Sequence, residues 1–301
     1  MDRRLEGFIV TVVFGVDHSP WTQAAVLAHA SHGIAVRLRP YPSLSYYLDS
    51  GLVMPVRWHN GTQTADSLSI IETLLPIADA QQRAQLEADF TDLESLFLAY
   101  ALDRTGPGRR LRFIHGWATM TDVPTTPLSV AFRAVLCWYF FILIELGRWM
   151  LRKRRNGHDC TERLSRELLP WVTRLEETPF LGGDEPNASD FGLLGQLECM
   201  SSGLTDWAMT AAAQHPALVA WLKRMHARIE HHPTVHSRRL VDPETRPPQP
   251  DERTQHGFYA CMALWVVAWP LTFPMLAYAS SRRQEAANRT GGRLEERRHR
   301  R

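Results

Sequence analysis

Lysine is almost missing from this chain, with Lys153 and Lys223 the only two among 34 basic residues. The formal net charge is just +2 over 301 residues, which argues against a nucleic-acid-binding surface covering the molecule. Cysteine is scarce as well. Cys137, Cys160, Cys199 and Cys261 stand far apart and form no CxxC pair, so neither a disulfide framework nor a structural zinc site is expected, and a reducing compartment is the simpler reading. No HExxH occurs, and His115, His231 and His232 have no helical metal-ligand spacing; no metal is expected. The apolar stretch over residues 8–15, behind Arg3 and Arg4, has no small-residue cleavage site after it. It reads as a strand, not a signal sequence.

What is present is an ordinary globular composition, 45% hydrophobic and 22% charged, in a chain long enough for two cores. Residues 8–14 (FIVTVVF) predict a buried strand, and Ser19-Pro20-Trp21 opens a helical run that Gly33 closes, since Ser caps well and Pro suits a first turn. Residues 35–41 predict a second strand, which completes a right-handed βαβ unit. A helical or irregular piece over 42–51 precedes VMPVRW, the turn His59-Asn60-Gly61 and TQT. Asn-Gly between two short strands is a strong hairpin signal. A helix over 66–75 follows, so βαβ then ββα stand within about 75 residues, the order of a thioredoxin fold.

After residue 77 the strand signals stop. Helices are predicted over 77–103, 128–155, 161–177, 189–201 and 217–230. The second of these holds eleven successive apolar residues, 134–144, too few to span a bilayer. The run Arg152 to Arg155 reads as a solvated helix end. A Pro-rich linker leads into residues 257–281, which contain no charge over 25 positions, enough for a membrane span. Tyr259, Trp265, Trp269 and Tyr278 add interfacial aromatics. Pro270 and Pro274 favour a kinked span or a hairpin dipping into one leaflet; a helix covering an apolar surface of the core is the third possibility. From Ser280 onward eight Arg face three Glu, so the tail carries +5 and the remainder −3.

Several motifs resemble those of the glutathione transferase family. His18-Ser19-Pro20-Trp21 is similar to the helix start of its serine-type and cysteine-type members. Met54-Pro55-Val56 resembles its Val-Pro element with a cis proline, and Asp66-Ser67 its acidic-Ser pair. FLGGDEPNASDFGLLGQ, residues 180–196, resembles the segment around its buried capping box, with Asn187 where Ser or Thr is usual. His215-Pro216 to His232-Pro233 resembles its closing helix. The resemblance spans residues 8–235. It implies an α/β thioredoxin-like glutathione-binding domain (1–78) and an all-α domain (79–240); composition adds a linker (241–256), the hydrophobic membrane-associated helix (257–281) and a basic tail (282–301).

The resemblance further implies that Ser19 is catalytic, donating its hydroxyl hydrogen to the sulfur of glutathione. The bland alternative makes Ser19 only a helix cap. Met54 and a cis Pro55 would pair with the cysteinyl part of glutathione as an added strand would, and the helix start at Asp66 and Ser67 would hold the γ-glutamyl carboxylate through its N–H groups and a hydroxyl. Asp17-His18 reads as a solvated turn. Glutathione is thus expected as co-substrate, a small hydrophobic electrophile as second substrate, membrane lipid as a further partner, and a homodimer as the assembly. Trp21, Trp117 and Trp138 are candidates for lining the electrophile pocket. The expected location is the cytoplasmic face of a membrane, with soluble cytoplasm second. A non-catalytic, membrane-attached adaptor on the same fold, similar to metaxins, is the alternative function.

Overall fold

Four short strands and the helix between the first two build the N-terminal part. The computed structural model describes residues 11–16, 18–39, 54–101, 160–201, 205–229, 232, 236–242 and 252–268, with 270, 274, 278 and 281 singly. Strand β1 (Thr11–Phe14) runs into helix α1 (Pro20–Ser31), and β2 (Val36–Arg39) returns parallel to β1. Strands β3 (Val56–His59) and β4 (Thr62–Ala65) form an antiparallel hairpin. Asn60 (φ 49°) and Gly61 (φ 76°) make its two-residue turn, both in the left-handed region that a type I′ turn requires. The sheet order is β2-β1-β3-β4, and α2 (Ser67–Glu72) follows. This is the thioredoxin-like arrangement.

The rest of the described chain is helical: α3 (Ala80–Ala101), α4 (Cys160–Glu177), α5 (Ala188–Met200), α6 (Asp206–Ala213), α7 (Pro216–Arg228), a 3-10 turn (His236–Leu240) and α8 (Glu252–Val267). Helix α5 is the centre, with every residue from Ala188 to Met200 buried. Its start is fixed by a reciprocal capping box. Asn187 Oδ1 accepts from the Ser189 and Asp190 amides, while Asp190 accepts from the Asn187 amide at 2.9 Å. Asp190 also takes the Leu181 amide at 2.9 Å and Trp221 Nε1 at 2.7 Å, so one carboxylate pins α5, the preceding loop and α7. Burial raises the Asp190 pKa, and these donors oppose the rise. A second buried carboxylate, Asp89 of α3, accepts from Arg174 of α4 at 2.8 Å and from Ser189 at 2.5 Å.

Helix α1 lies directly on α5. A Cβ at Gly195 would stand 2.2 Å from the Pro20 carbonyl oxygen and 2.9 Å from the Ala24 nitrogen, so only glycine admits this approach. Leu27, Ala24, Leu93, Leu96, Leu193 and Leu194 join one apolar core across both halves. That seam holds the start of α1 in place.

One expectation needs correction. No helix among the described residues is long and apolar enough to cross a membrane. Helix α8 begins with Glu252 and Arg253 and is described to Val267, with residues 270, 274, 278 and 281 also helical. On one side of it Phe258 and Met262, one turn apart, are buried. The expected helix over 128–155 and the run Arg152 to Arg155 lie outside the described residues, as do the 42–51 segment and the basic tail, 282–301. Helix α6 and the 3-10 turn carry no strong sequence signal and were not anticipated.

Candidate functional site

The register of the sheet brings the predicted residues to one end of it. Phe14 pairs with Val56, and Val56 with Ala65. One step beyond that row stand Gly15, Pro55 and Asp66, and the Asp66 amide donates to the Pro55 carbonyl at 2.9 Å. The Met54–Pro55 bond is cis; Pro55 is buried and Met54 half-buried.

From the same end, the chain leaves β1 and turns into α1 at Ser19. Three backbone bonds fix this turn: Ser19 N–H to Val16 O at 2.9 Å, Gln23 N–H to Ser19 O at 2.9 Å, and Gly15 N–H to Arg39 O at 2.9 Å. Ser19 is extended (φ −79°, ψ 126°), half-buried, and its side chain makes no capping bond. The bland reading of Ser19 as a helix cap therefore loses its observation. Pro20 at the first helical position has no N–H to satisfy.

Asp66 has φ 78°, a region a residue with a Cβ enters only at a cost. Its Oδ2 accepts from the Ser69 amide at 3.1 Å, which caps α2. Ser67 is only 3% exposed, so it is not the surface residue that a helix start suggested. His18 is also corrected. It is 3% exposed, not part of a solvated turn.

The second half of the chain reaches this site through residues that sequence reasoning did not single out. Cys199 Sγ of α5 donates to the His18 carbonyl at 2.9 Å. Tyr100 of α3 is an electrostatic neighbour of Cys199. The Tyr100 hydroxyl donates to Gln196 Oε1 at 2.8 Å, and Gln196 Nε2 donates to Leu93 O at 3.2 Å. Burial pushes the Cys199 thiol up to about 12 and the Tyr100 phenol well above its usual value, so both remain protonated donors. The only trace in the sequence is a Gln and a Cys three apart, with Glu198 between them, in the second half of a helix that is otherwise apolar from Phe191 on. Trp21 is half-buried and stacks on Phe90 at 6.0 Å between ring centres; Trp117 and Trp138 lie outside the described residues. No group of three His, Cys, Asp or Glu among the described residues could hold a metal ion.

No family model and no curated protein matches the sequence. The similar solved structures are glutathione transferases. One from Populus trichocarpa is 13% identical, with 77% of this chain and 98% of that chain covered and a TM-score of 0.45. One from Bombyx mori is also 13% identical over 77% and 96%, with a TM-score of 0.46. A third, from Anopheles dirus species B, is 16% identical over 77% and 95%, with a TM-score of 0.43.

Proposed function

We propose that this chain binds glutathione at the sheet end formed by Pro55, Asp66 and Ser19, and activates its thiol to attack a small hydrophobic electrophile, joining the intact tripeptide to it through a thioether. The observation that carries the reading is the single row of Gly15, Pro55 and Asp66, with an uncapped Ser19 hydroxyl at the helix start beyond it. The residues suit the ligand. Backbone polar groups at Met54 would take the cysteinyl amide as a strand takes a neighbour. The side chains of Asp66 and Ser67 would hold the γ-glutamyl end. When bound, glutathione supplies a thiol that reacts as its thiolate. Ser19 contributes a hydroxyl donor to that sulfur, and the first turn of α1 contributes partial positive charge. A homodimer belongs to the same proposal.

Attachment to a membrane, with the domains on its cytoplasmic face, is a second element of the proposal. The outward side of α8 supports it, because Leu264 and Val267 are 67% and 80% exposed, and the chain after Ser281 carries +5. A non-catalytic membrane-attached adaptor would share this surface. Retention on immobilised glutathione, followed by an assay with a generic aryl halide, separates the readings. Retention with turnover is expected. Retention without turnover favours the adaptor, and a folded protein that is not retained overturns the proposal.

A further inference from the structure

We infer that Cys199 is a positioning residue for Ser19: its thiol, held in the helical half of the chain, fixes the peptide plane on which the Ser19 side chain is built. This rests on the glutathione reading above. The His18 carbonyl and the Ser19 N–H belong to one planar peptide group. Val16 O holds its N–H end at 2.9 Å, and Cys199 Sγ holds its C=O end at 2.9 Å. The next peptide is held as well, since Ser19 O accepts from Gln23 N–H. With both flanking planes fixed, the side chain of Ser19 has only its own χ1 to choose, and a hydroxyl aimed within hydrogen-bond reach is what thiol activation requires.

The thiol suits this task because it is fully buried and stays protonated at working pH, so it donates throughout. Its own setting is rigid. Tyr100, Gln196 and the Leu93 carbonyl form a buried chain from α3 to α5, and Gly195, one residue from Gln196, brings α5 against the Pro20 carbonyl. The helical half thus holds the start of α1 by a polar bond and by close packing, at residues on either side of Ser19. Cysteine is distinctive here in being a compact donor that tolerates burial among leucines.

The test uses the full chain as wild type, Cys199→Ala, Cys199→Ser and Ser19→Ala. Hydrogen exchange of the Ser19 amide in ligand-free protein reads the pinning directly and is expected to speed up at least tenfold in Cys199→Ala. The ultraviolet thiolate absorbance of bound glutathione, titrated with pH, should show the thiol pKa rising by about half to one unit, a three- to tenfold loss of thiolate below the pKa. Cys199→Ser, which keeps a donor, should restore both. If Cys199→Ala does not fold, Cys199→Val, which fills the space without donating, takes its place. A folded donor-less variant with wild-type exchange and wild-type thiol titration overturns the inference. If wild type binds no glutathione, the glutathione reading itself fails; if Ser19→Ala also titrates as wild type, Ser19 takes no part in thiol activation and the positioning role falls with it; if only the Cys199 variants are silent, the glutathione reading stands and the positioning role falls.

Discussion

A serine at a helix start ordinarily spends its oxygen on an amide of the first turn, a bond worth about 1 kcal/mol. Ser19 makes no such bond, so Ser19→Ala has no cap to lose, and its thermal midpoint should stay at the wild-type value. Its turnover should not: loss of one hydrogen bond to a forming thiolate costs roughly 1.5–3 kcal/mol, about a ten- to hundredfold fall in kcat with glutathione affinity little changed. Steady-state kinetics beside a melting curve would check this, and unchanged turnover would leave thiol activation to the helix terminus alone. Asp66 differs, because its carboxylate caps Ser69 and its backbone holds φ 78°. Asp66→Ala with Ser67→Ala should lose retention on immobilised glutathione and about 1–2 kcal/mol of stability. A folded double variant that is fully retained would place the glutamyl arm elsewhere.

At the scale of elements, the contact between α1 and α5 decides how well the site is held. Alanine is the better helix former by about 1 kcal/mol, yet Gly195→Ala would drive a methyl into the Pro20 carbonyl. Overpacking against backbone outweighs the propensity gain, and we expect a net loss of about 2 kcal/mol, measured by denaturant unfolding, with reduced turnover. A stabilised variant would show that α1 can slide. The 3-10 turn is tied to α5 and α7 by another buried set: the Ser237 amide and hydroxyl both donate to Glu198 Oε1. With its proton given to Glu198, Ser237 Oγ must accept from His226 Nε2, 2.8 Å away. Burial, reinforced by Arg238, lowers the His226 pKa from 6.5 to about 4. A depressed folded pKa means the neutral form is the one the fold holds. This contribution is intact above pH 6.5 and is lost as pH falls toward 4. Unfolding midpoints between pH 7.5 and 4.5 should drop steeply in wild type and less steeply in His226→Gln; equal slopes would remove His226 from the account.

For the whole molecule, the open question is how α8 divides its two sides. Phe258 and Met262 are buried, so truncation after Asp251 removes part of the core and does not simply release a tail. Phe258→Ala alone should cost about 3 kcal/mol. Leu264, Val266 and Val267 face outward, beside a sequence that carries +5 after Ser281. Full-length protein should sediment with vesicles containing anionic phospholipid, less so at high salt. Leu264→Glu with Val267→Glu should keep the fold, since both residues are exposed, and weaken binding at least tenfold. Wild-type protein that stays in the supernatant at low salt would refute lipid attachment.

The sequence by itself determined the parts that depend on local chemistry. Asn60-Gly61 specified the hairpin because few other residues accept two left-handed positions in succession. Ser19-Pro20 opened a helix, Asn187 and Asp190 closed their capping box, and the order of strands and helix left one compact way to build the sheet. Only the tertiary structure decided the remainder. The burial of Ser67 and His18, the freedom of the Ser19 hydroxyl from capping, and the bond from Cys199 to a carbonyl 181 residues away in sequence all depend on how close two helices come. Gly195 sets that distance, and a lone glycine in a helix does not announce which backbone it will meet. Helix α8 shows the same limit from the other side. A run of 25 uncharged residues measures how apolar a segment is. Whether its face meets lipid or protein depends on surface supplied by the rest of the chain, and the structure buries Phe258 and Met262 while leaving Leu264 and Val267 exposed.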